Sequence, residues 1–177
     1  EDEEPFKVKQ DKVPTLKPAF DKAGTITAAN ASKINDGACA LVVMSEDKAI
    51  SLGLKPLARI VGQASAAHAP EWFTTAPAKA MQQVLKKTGL ELKNIDLFEI
   101  NEAFSVVALT TMKELKLDAK HVNVFGGAVA LGHPIGASGA RILSTLITAL
   151  HHHKLKRGMA SICIGGGEAS AVIVETV

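Results

Sequence analysis

Only two cysteines, Cys39 and Cys163, occur among the 177 residues. They are too few for a disulfide scaffold and read as free thiols of a reducing compartment, the cytoplasm or an organelle matrix. Charge of one sign is also scarce. The formal net charge is +2, so no nucleic-acid footprint is expected, since that would be a concentrated basic surface. No apolar run reaches the roughly 18 residues that a membrane-spanning helix needs, and nothing has the pattern of a signal peptide. No internal repeat is visible. Metal chemistry lacks a ligand set as well. His151, His152 and His153 are consecutive, so they leave a helix in different directions, and no other Cys/His cluster accompanies them.

What is present is ordinary globular composition, 47% hydrophobic and 21% charged, with a length suited to one domain or slightly more. Residues 1–36 are polar and turn-rich. Leu16, Phe20 and Ile26 nevertheless make them too apolar for simple disorder, so an ordered covering loop is expected. From Gly37 the pattern becomes regular. "ACALVVMS" (38–45) reads as a buried strand with Cys39 in its core, and a helix capped by Ser45 and stopped at Gly53 follows. "LARIVGQASA" reads as a strand. Pro77 opens a helix with Ala78, Met81, Val84 and Leu85 on one face, ended by Gly89.

Further along, "NIDLFEI" and "HVNVF" read as strands and "EAFSVVALTTMKEL" as a helix. Ile142, Leu143, Leu146, Ile147 and Leu150 form a helical stripe. "MASICIGG" and "ASAVIVETV" close the chain as two antiparallel strands around a glycine turn. The alternation predicts an α/β fold with a mixed, mostly parallel sheet covered by helices.

Four segments fall at predicted strand ends, where open α/β sheets hold ligands: "NAS" (30–32), "NEAF" (101–104), "GHP" (132–134) and "CIGGG" (163–167). Singly, each has an ordinary explanation. His133 suits a histidine bonded to backbone, Cys163 a small buried hydrophobe, the glycines a turn, and Asn101 a helix cap. The glycine-rich stretch 126–141 is no phosphate loop, because no Gly-Lys-Ser/Thr follows. As a set, the segments supply a neutral donor, a proton-transfer group, a second acid/base or nucleophile, and exposed backbone N–H groups. That is equipment for acyl chemistry through a charged oxygen intermediate.

"NEAF", "NVFGGAVALGHPIGASGARI" and "CIGGGEAS", in this order, resemble the C-terminal half of the thiolase family, in particular its acetyl-CoA acetyltransferase branch. "GTITAANASKINDGACALVVMS" is similar to the segment just before the family's C-terminal domain. The resemblance implies a thiolase-like fold. Residues 1–36 would end the covering loop domain, 37–56 would close the N-terminal domain, and 57–177 would be the C-terminal domain. It implies the condensation of two acetyl-CoA into acetoacetyl-CoA, or the reverse thiolysis, in a homodimer or homotetramer.

By position, His133 matches the histidine that activates the acylated cysteine, and Cys163 the cysteine that moves the α-proton. Asn101 matches the residue that fixes a water in one oxyanion hole, and the N–H of Gly165 a donor of the other. Ser32, Leu16, Phe20, Ala28, Ala103 and Phe104 match coenzyme A contacts. "TAANAS" with Val129 resembles members that bind potassium through backbone carbonyls, here Ala28, Ala29, Ala31 and Val129. No other cofactor is implied.

One family feature has no match. No segment resembles the region of the acylated cysteine, so the chain is expected to be the later part of a longer enzyme and inactive alone. The competing expectation is a non-catalytic acyl-CoA-binding fragment or scaffold. A ketoacyl synthase fits less well, because those enzymes carry two catalytic histidines where "GHP" is paired here with "CIGGG".

Overall fold

The computed structural model describes residues 4–177, so Glu1–Glu3 of the covering loop lie outside the described residues. Six helices are used below: α1 (Glu4–Lys7), α2 (Glu46–Ser51), α3 (Ala76–Thr88), α4 (Ser105–Leu115), α5 (Ala128–Leu131) and α6 (Ser138–His153). The strands are β1 (Ala58–Ala67), β2 (Leu97–Ile100), β3 (Arg157–Ile164) and β4 (Glu168–Thr176).

The four strands form one sheet in the order β1-β4-β3-β2. β2 runs parallel to β3, whereas β4 is antiparallel to both β3 and β1. The sheet is mixed and helix-covered, as the alternation predicts. Within this chain its balance leans antiparallel, because β1 enters beside β4 rather than through a crossover helix. One apolar cluster lies between the sheet and α3/α4, built on Met81, Val84, Ile100, Val107, Met159 and Ile173. A second joins Leu97, Ala160 and Val174 to Ile142, Leu146 and Leu150 of α6. Each fully buried aliphatic side chain contributes about 1.5–3 kcal/mol to folding. Among the described residues, no helix is long and apolar enough to cross a membrane.

Local signals account for the helix ends. Ser45 accepts a hydrogen bond from the Lys48 N–H at the start of α2. Pro77 sits in the first turn of α3, and Gly89 ends it in the left-handed region.

Three expected elements take another form. Residues 38–44 form no regular element and pair with no strand among the described residues, and Val42 and Val43 are 87% and 70% exposed. An apolar run becomes a sheet strand only where neighbouring strands offer partners. Cys39 is accordingly half-buried, not a core residue. "HVNVF" is no strand either. After an isolated bridge between Val122 and Phe98, Asn123 adopts φ +49°. Its side-chain amide then takes the place of a strand, with Oδ1 accepting from the Ile100 N–H at 2.8 Å and Nδ2 donating to the Ile100 carbonyl at 2.9 Å. Finally, α4 starts at Ser105, because Phe104 is extended and bridges Ala31. Asn101 therefore does not cap that helix.

Candidate active site

β2 and β3 run in the same direction, and their C-terminal ends carry two of the singled-out segments. The Asn101 N–H donates to the Ser161 carbonyl at 2.9 Å, which fastens the start of "NEAF" to β3. Asn101 is fully buried. The "GHP" loop comes to it from the far side. Gly132 has φ +101°, and a Cβ there would stand 2.6 Å from the Asn35 side chain. Glycine is what allows the chain to turn His133 inward at this point. The His133 N–H donates to the Lys33 carbonyl at 2.8 Å, tying the covering loop to the site.

The imidazole is held at both nitrogens. Nδ1 lies 2.6 Å from Ser138 Oγ, and the Ser138 hydroxyl donates to the Pro134 carbonyl at 3.1 Å. With that proton engaged, Ser138 Oγ accepts from Nδ1–H, which leaves the lone pair on Nε2. Nε2 faces Asn101 Nδ2 at 3.4 Å. Burial, and then the positive charge of Arg141, hold the His133 pKa below its ordinary value, so the neutral ring is favoured. Asn101 Oδ1 is buried with no partner. Asn101, His133 and Ser138 thus form a line in which the lone pair of Nε2 takes only a long hydrogen bond from the Asn101 amide.

Cys163 and Gly165 stand at the end of β3. Cys163 is buried and packs in the α3/α4-side cluster, and no hydrogen bond joins it to His133 among the described contacts. Burial pushes the thiol up, against a smaller opposing contribution from its own backbone N–H. Gly165 lies exposed in the β3–β4 turn, and its N–H is engaged in none of the described hydrogen bonds.

The residues matched to coenzyme A contacts meet only in part. Ser32 donates through both Oγ and N–H to the Ala103 carbonyl, at 2.8 and 3.1 Å. The Phe20 ring packs edge-on against Phe104 with centroids 5.7 Å apart, and Phe73 joins Phe104 at 6.3 Å. Leu16 and Ala28 share no hydrogen bond or ring contact with this group among the described contacts.

The two pieces matched to potassium are both anchored to the "NEAF" loop. Asn30, inside the 28–31 turn, accepts from the Ser105 N–H, and the Val129 N–H donates to Glu102. Backbone carbonyls in such turns are oxygen donors that suit a hard cation. Among the described residues, no three His, Cys, Asp or Glu side chains gather as a metal site. His151, His152 and His153 lie exposed at the end of α6, and His151 Nε2 contacts the Leu57 carbonyl at 2.8 Å. A cavity of about 380 Å³ lies between residues 35–39 and 134–137, beside the histidine rather than around it.

Sequence reading missed Ser138, Glu99, Glu102, Asn123 and Arg141. One signal was available. A glutamate inside the apolar strand "LFEI" asks for a buried partner, and the arginine of "GAR" on the next amphipathic helix is a candidate.

The family model described as "Thiolase, C-terminal domain" matches residues 54–176, and "Thiolase, N-terminal domain" matches residues 1–47. A probable acetyl-CoA acetyltransferase of Dictyostelium discoideum is 57% identical over 175 residues, covering 99% of this chain and 42% of the relative. The acetyl-CoA acetyltransferase crystal structure from Bacillus anthracis superposes with a TM-score of 0.96 at 48% identity, over 100% of this chain and 45% of that one. A thiolase from Ascaris suum, crystallised in complex with coenzyme A, gives 0.90 at 51% identity, over 100% and 46%. The chain therefore spans somewhat under half the length of the proteins it matches.

Proposed function

The chain belongs to the thiolase family, and from that premise we propose that it is the C-terminal part of an acetyl-CoA C-acetyltransferase. The reaction is condensation of two acetyl-CoA to acetoacetyl-CoA and coenzyme A, or the reverse thiolysis. The observation that carries this reading is the Ser138–His133–Asn101 line, in which the lone pair of a neutral imidazole sits on Nε2 beside the Asn101 amide. A base so oriented takes the proton of a thiol nucleophile.

Neither Cys39 nor Cys163 matches the acylated cysteine, so that group is supplied from outside these 177 residues. Its thiolate attacks the thioester carbonyl of the first acetyl-CoA, the carbon–sulfur bond to coenzyme A breaks, the departing sulfur takes the Cys163 proton, and the acetyl group stays on the nucleophilic cysteine. Cys163, as thiolate, then removes an α-proton from the second acetyl-CoA. The resulting carbanion attacks the acetyl carbonyl, and the cysteine leaves with its electron pair. Donors directed at the two thioester oxygens stabilise their developing charge: at one, the water fixed by Asn101 together with the Nε2–H that His133 gains from the nucleophile, and at the other the Gly165 N–H. The raised pKa of Cys163 keeps it protonated at rest, which suits the acid it must be in thiolysis.

Ser32, Ala103 and Phe104, with Phe20 over them, would line the path of the pantetheine arm; Leu16 and Ala28 would complete the cover. Ala28, Ala29, Ala31 and Val129 would hold a potassium ion through their carbonyls. Such an ion would supply positive charge next to the turn that Asn30 fastens to Ser105. Leu41 and Met44, exposed together with Val42 and Val43, support burial of this segment by further chain of the same enzyme in a homodimer or homotetramer. We place the enzyme in the cytoplasm or an organelle matrix.

The test is the complete gene product, weighed intact before and after acetyl-CoA and assayed for thiolysis of acetoacetyl-CoA. A covalent acetyl adduct with turnover supports the reading. Coenzyme A binding with neither adduct nor turnover would replace it with that of a non-catalytic binder.

A further inference from the structure

Glu99 sits in β2, all four of whose residues are buried, and its side chain is 2% exposed. Side chains alternate along a strand, so Leu97, Glu99 and Asn101 point to the same side. Leu97 packs there against Ile142 and Leu146 of α6. On α6, Ser138 and Arg141 are three residues apart and so neighbours on one face. Two polar levels result between strand and helix. The upper holds Asn101, His133 and Ser138; the lower holds Glu99 and Arg141. Arg141 Nη1 stands 3.7 Å from Glu99 Oε2.

The lower pair is poorly bonded. Both Glu99 oxygens, and Nε and Nη1 of Arg141, are buried without a hydrogen-bond partner. An ion pair this incompletely satisfied contributes less to folding than apolar residues of the same volume would. Its presence asks for another explanation. Charged residues reach this level from three elements, including the covering loop, where Lys33 takes the His133 N–H on its carbonyl and Asp36 lies beside Pro134. Glu99 meets Arg141 from α6 and Glu102 from the loop after β2, while His133 feels Arg141. On β3, the residue paired with Glu99 is Ala160, and the neighbouring α6 residues Ile142 and Leu146 are apolar.

We propose that Glu99 and Arg141 are positioning residues for the Asn101–His133 pair: the guanidinium, seated on Glu99 and on the same face of α6 as the Ser138 that bonds His133, holds a fixed positive charge at the level below the imidazole. The assignment of His133 as base rests on the functional reading above, whereas the effect of Arg141 on its titration does not. Burial pushes Glu99 up to about 8, with Arg141 opposing and Glu102 adding to the rise. At neutral pH most of the Arg141 charge is therefore left to act on the imidazole.

The experiment is a histidine titration by NMR on the complete protein labelled with ¹³C at histidine Cε1, with His133 assigned by its loss in His133→Gln. Arg141→Met is expected to raise the His133 midpoint by about half a pH unit or more, because a nearby positive charge is removed. Arg141→Lys, which keeps the charge, should stay near the parent. Glu99→Gln, which replaces a protonated carboxyl by a neutral group of nearly the same shape, should leave the midpoint unchanged. An unmoved midpoint in Arg141→Met overturns the proposal, and so does a rise in Glu99→Gln or an equal rise in the Met and Lys variants. Should Arg141→Met not fold, Arg141→Gln takes its place and is read in the same way, against Arg141→Lys. Thiolysis is measured in parallel on the parent. A parent without turnover defeats the functional reading and leaves the titration standing; an active parent with an unmoved midpoint defeats only the Glu99–Arg141 assignment.

Discussion

The hydroxyl of Ser138 does two things at once: it donates to the Pro134 carbonyl at 3.1 Å and takes the Nδ1 proton of His133 at 2.6 Å. Five residues separate the serine from the histidine, and the turn that opens α6 closes the gap, with the Ser138 N–H bonded to the Pro134 carbonyl at 2.9 Å. The imidazole is thereby locked in one tautomer. Ser138→Ala removes the acceptor and leaves Nδ1–H unpaired in a buried place. In the complete enzyme we expect kcat for thiolysis to fall about 10- to 100-fold, within the range that a general base contributes. KM should change by less than about twofold, since the serine reaches no substrate. Steady-state kinetics checks this, and an unchanged kcat would show that the tautomer is held by something else.

Cys163 is buried and its thiol pKa is raised by desolvation, while Cys39 is half-buried in a segment outside the sheet. Thiolates, not thiols, react with alkylating agents. In the native protein near pH 7.5, iodoacetamide should therefore modify Cys39 before Cys163, with the order read by peptide mass mapping. In the complete enzyme, Cys163→Ala should abolish condensation while acetylation of the nucleophilic cysteine stays detectable by intact mass. His133→Ala should slow the acetylation itself. Loss of acetylation in Cys163→Ala would remove it from the α-proton step.

The elements carried by local pattern were legible in the sequence, and those completed by distant partners were not. The apolar stripe of α6, the Pro77 and Gly89 limits of α3 and the glycine turn after Cys163 are all local, and each is where its signal put it. Residues 38–44 carry the composition of a strand, but composition does not supply the neighbours. Asn123 defeats the reading of "HVNVF" because a side-chain amide pairs with Ile100 where a backbone would. In the site, His133 and Asn101 stood out through their glycine and "NEAF" settings. Ser138, Glu99 and Arg141 did not, since what singles them out is a contact between β2, α6 and the loop joining neither. The raised Cys163 thiol was likewise invisible, because burial is a property of the packed sheet.

Glycines in the site loops differ sharply in what they tolerate. At Gly167, φ is +90° and a Cβ would come within 2.2 Å of the His68 carbonyl oxygen. The same two residues are bonded, His68 N–H to Gly167 carbonyl, at 3.0 Å. At Gly136 a Cβ meets nothing within 4 Å and no left-handed angle is needed. Gly167→Ala is expected to cost about 2–4 kcal/mol through strain and displaced backbone. Gly136→Ala should be neutral, or stabilise by about 0.4–1 kcal/mol through the unfolded chain. Urea unfolding of the two variants against the parent checks the contrast, and equal losses would contradict it.

Glu99 makes stability fall as pH rises, the opposite of most carboxylates. Burial raises its folded-state pKa from 4.5 to about 8. Between those values the unfolded chain has released the proton that the native state still holds. The native state then binds more protons than the unfolded one, so unfolding becomes easier with each step upward in pH, by at most about 1.4 kcal/mol per unit for a single group. Below pH 4 this contribution is absent, because both states are protonated; above about 9 it is complete and constant. Glu99→Gln cannot ionise and keeps nearly the same shape, so it removes the slope. The variant should match the parent near pH 5 and exceed it in stability at pH 8.5, measured as unfolding free energy in urea. A parent and variant that stay parallel from pH 5 to 8.5 would mean that Glu99 is ionised throughout, held by Arg141 as a closed ion pair.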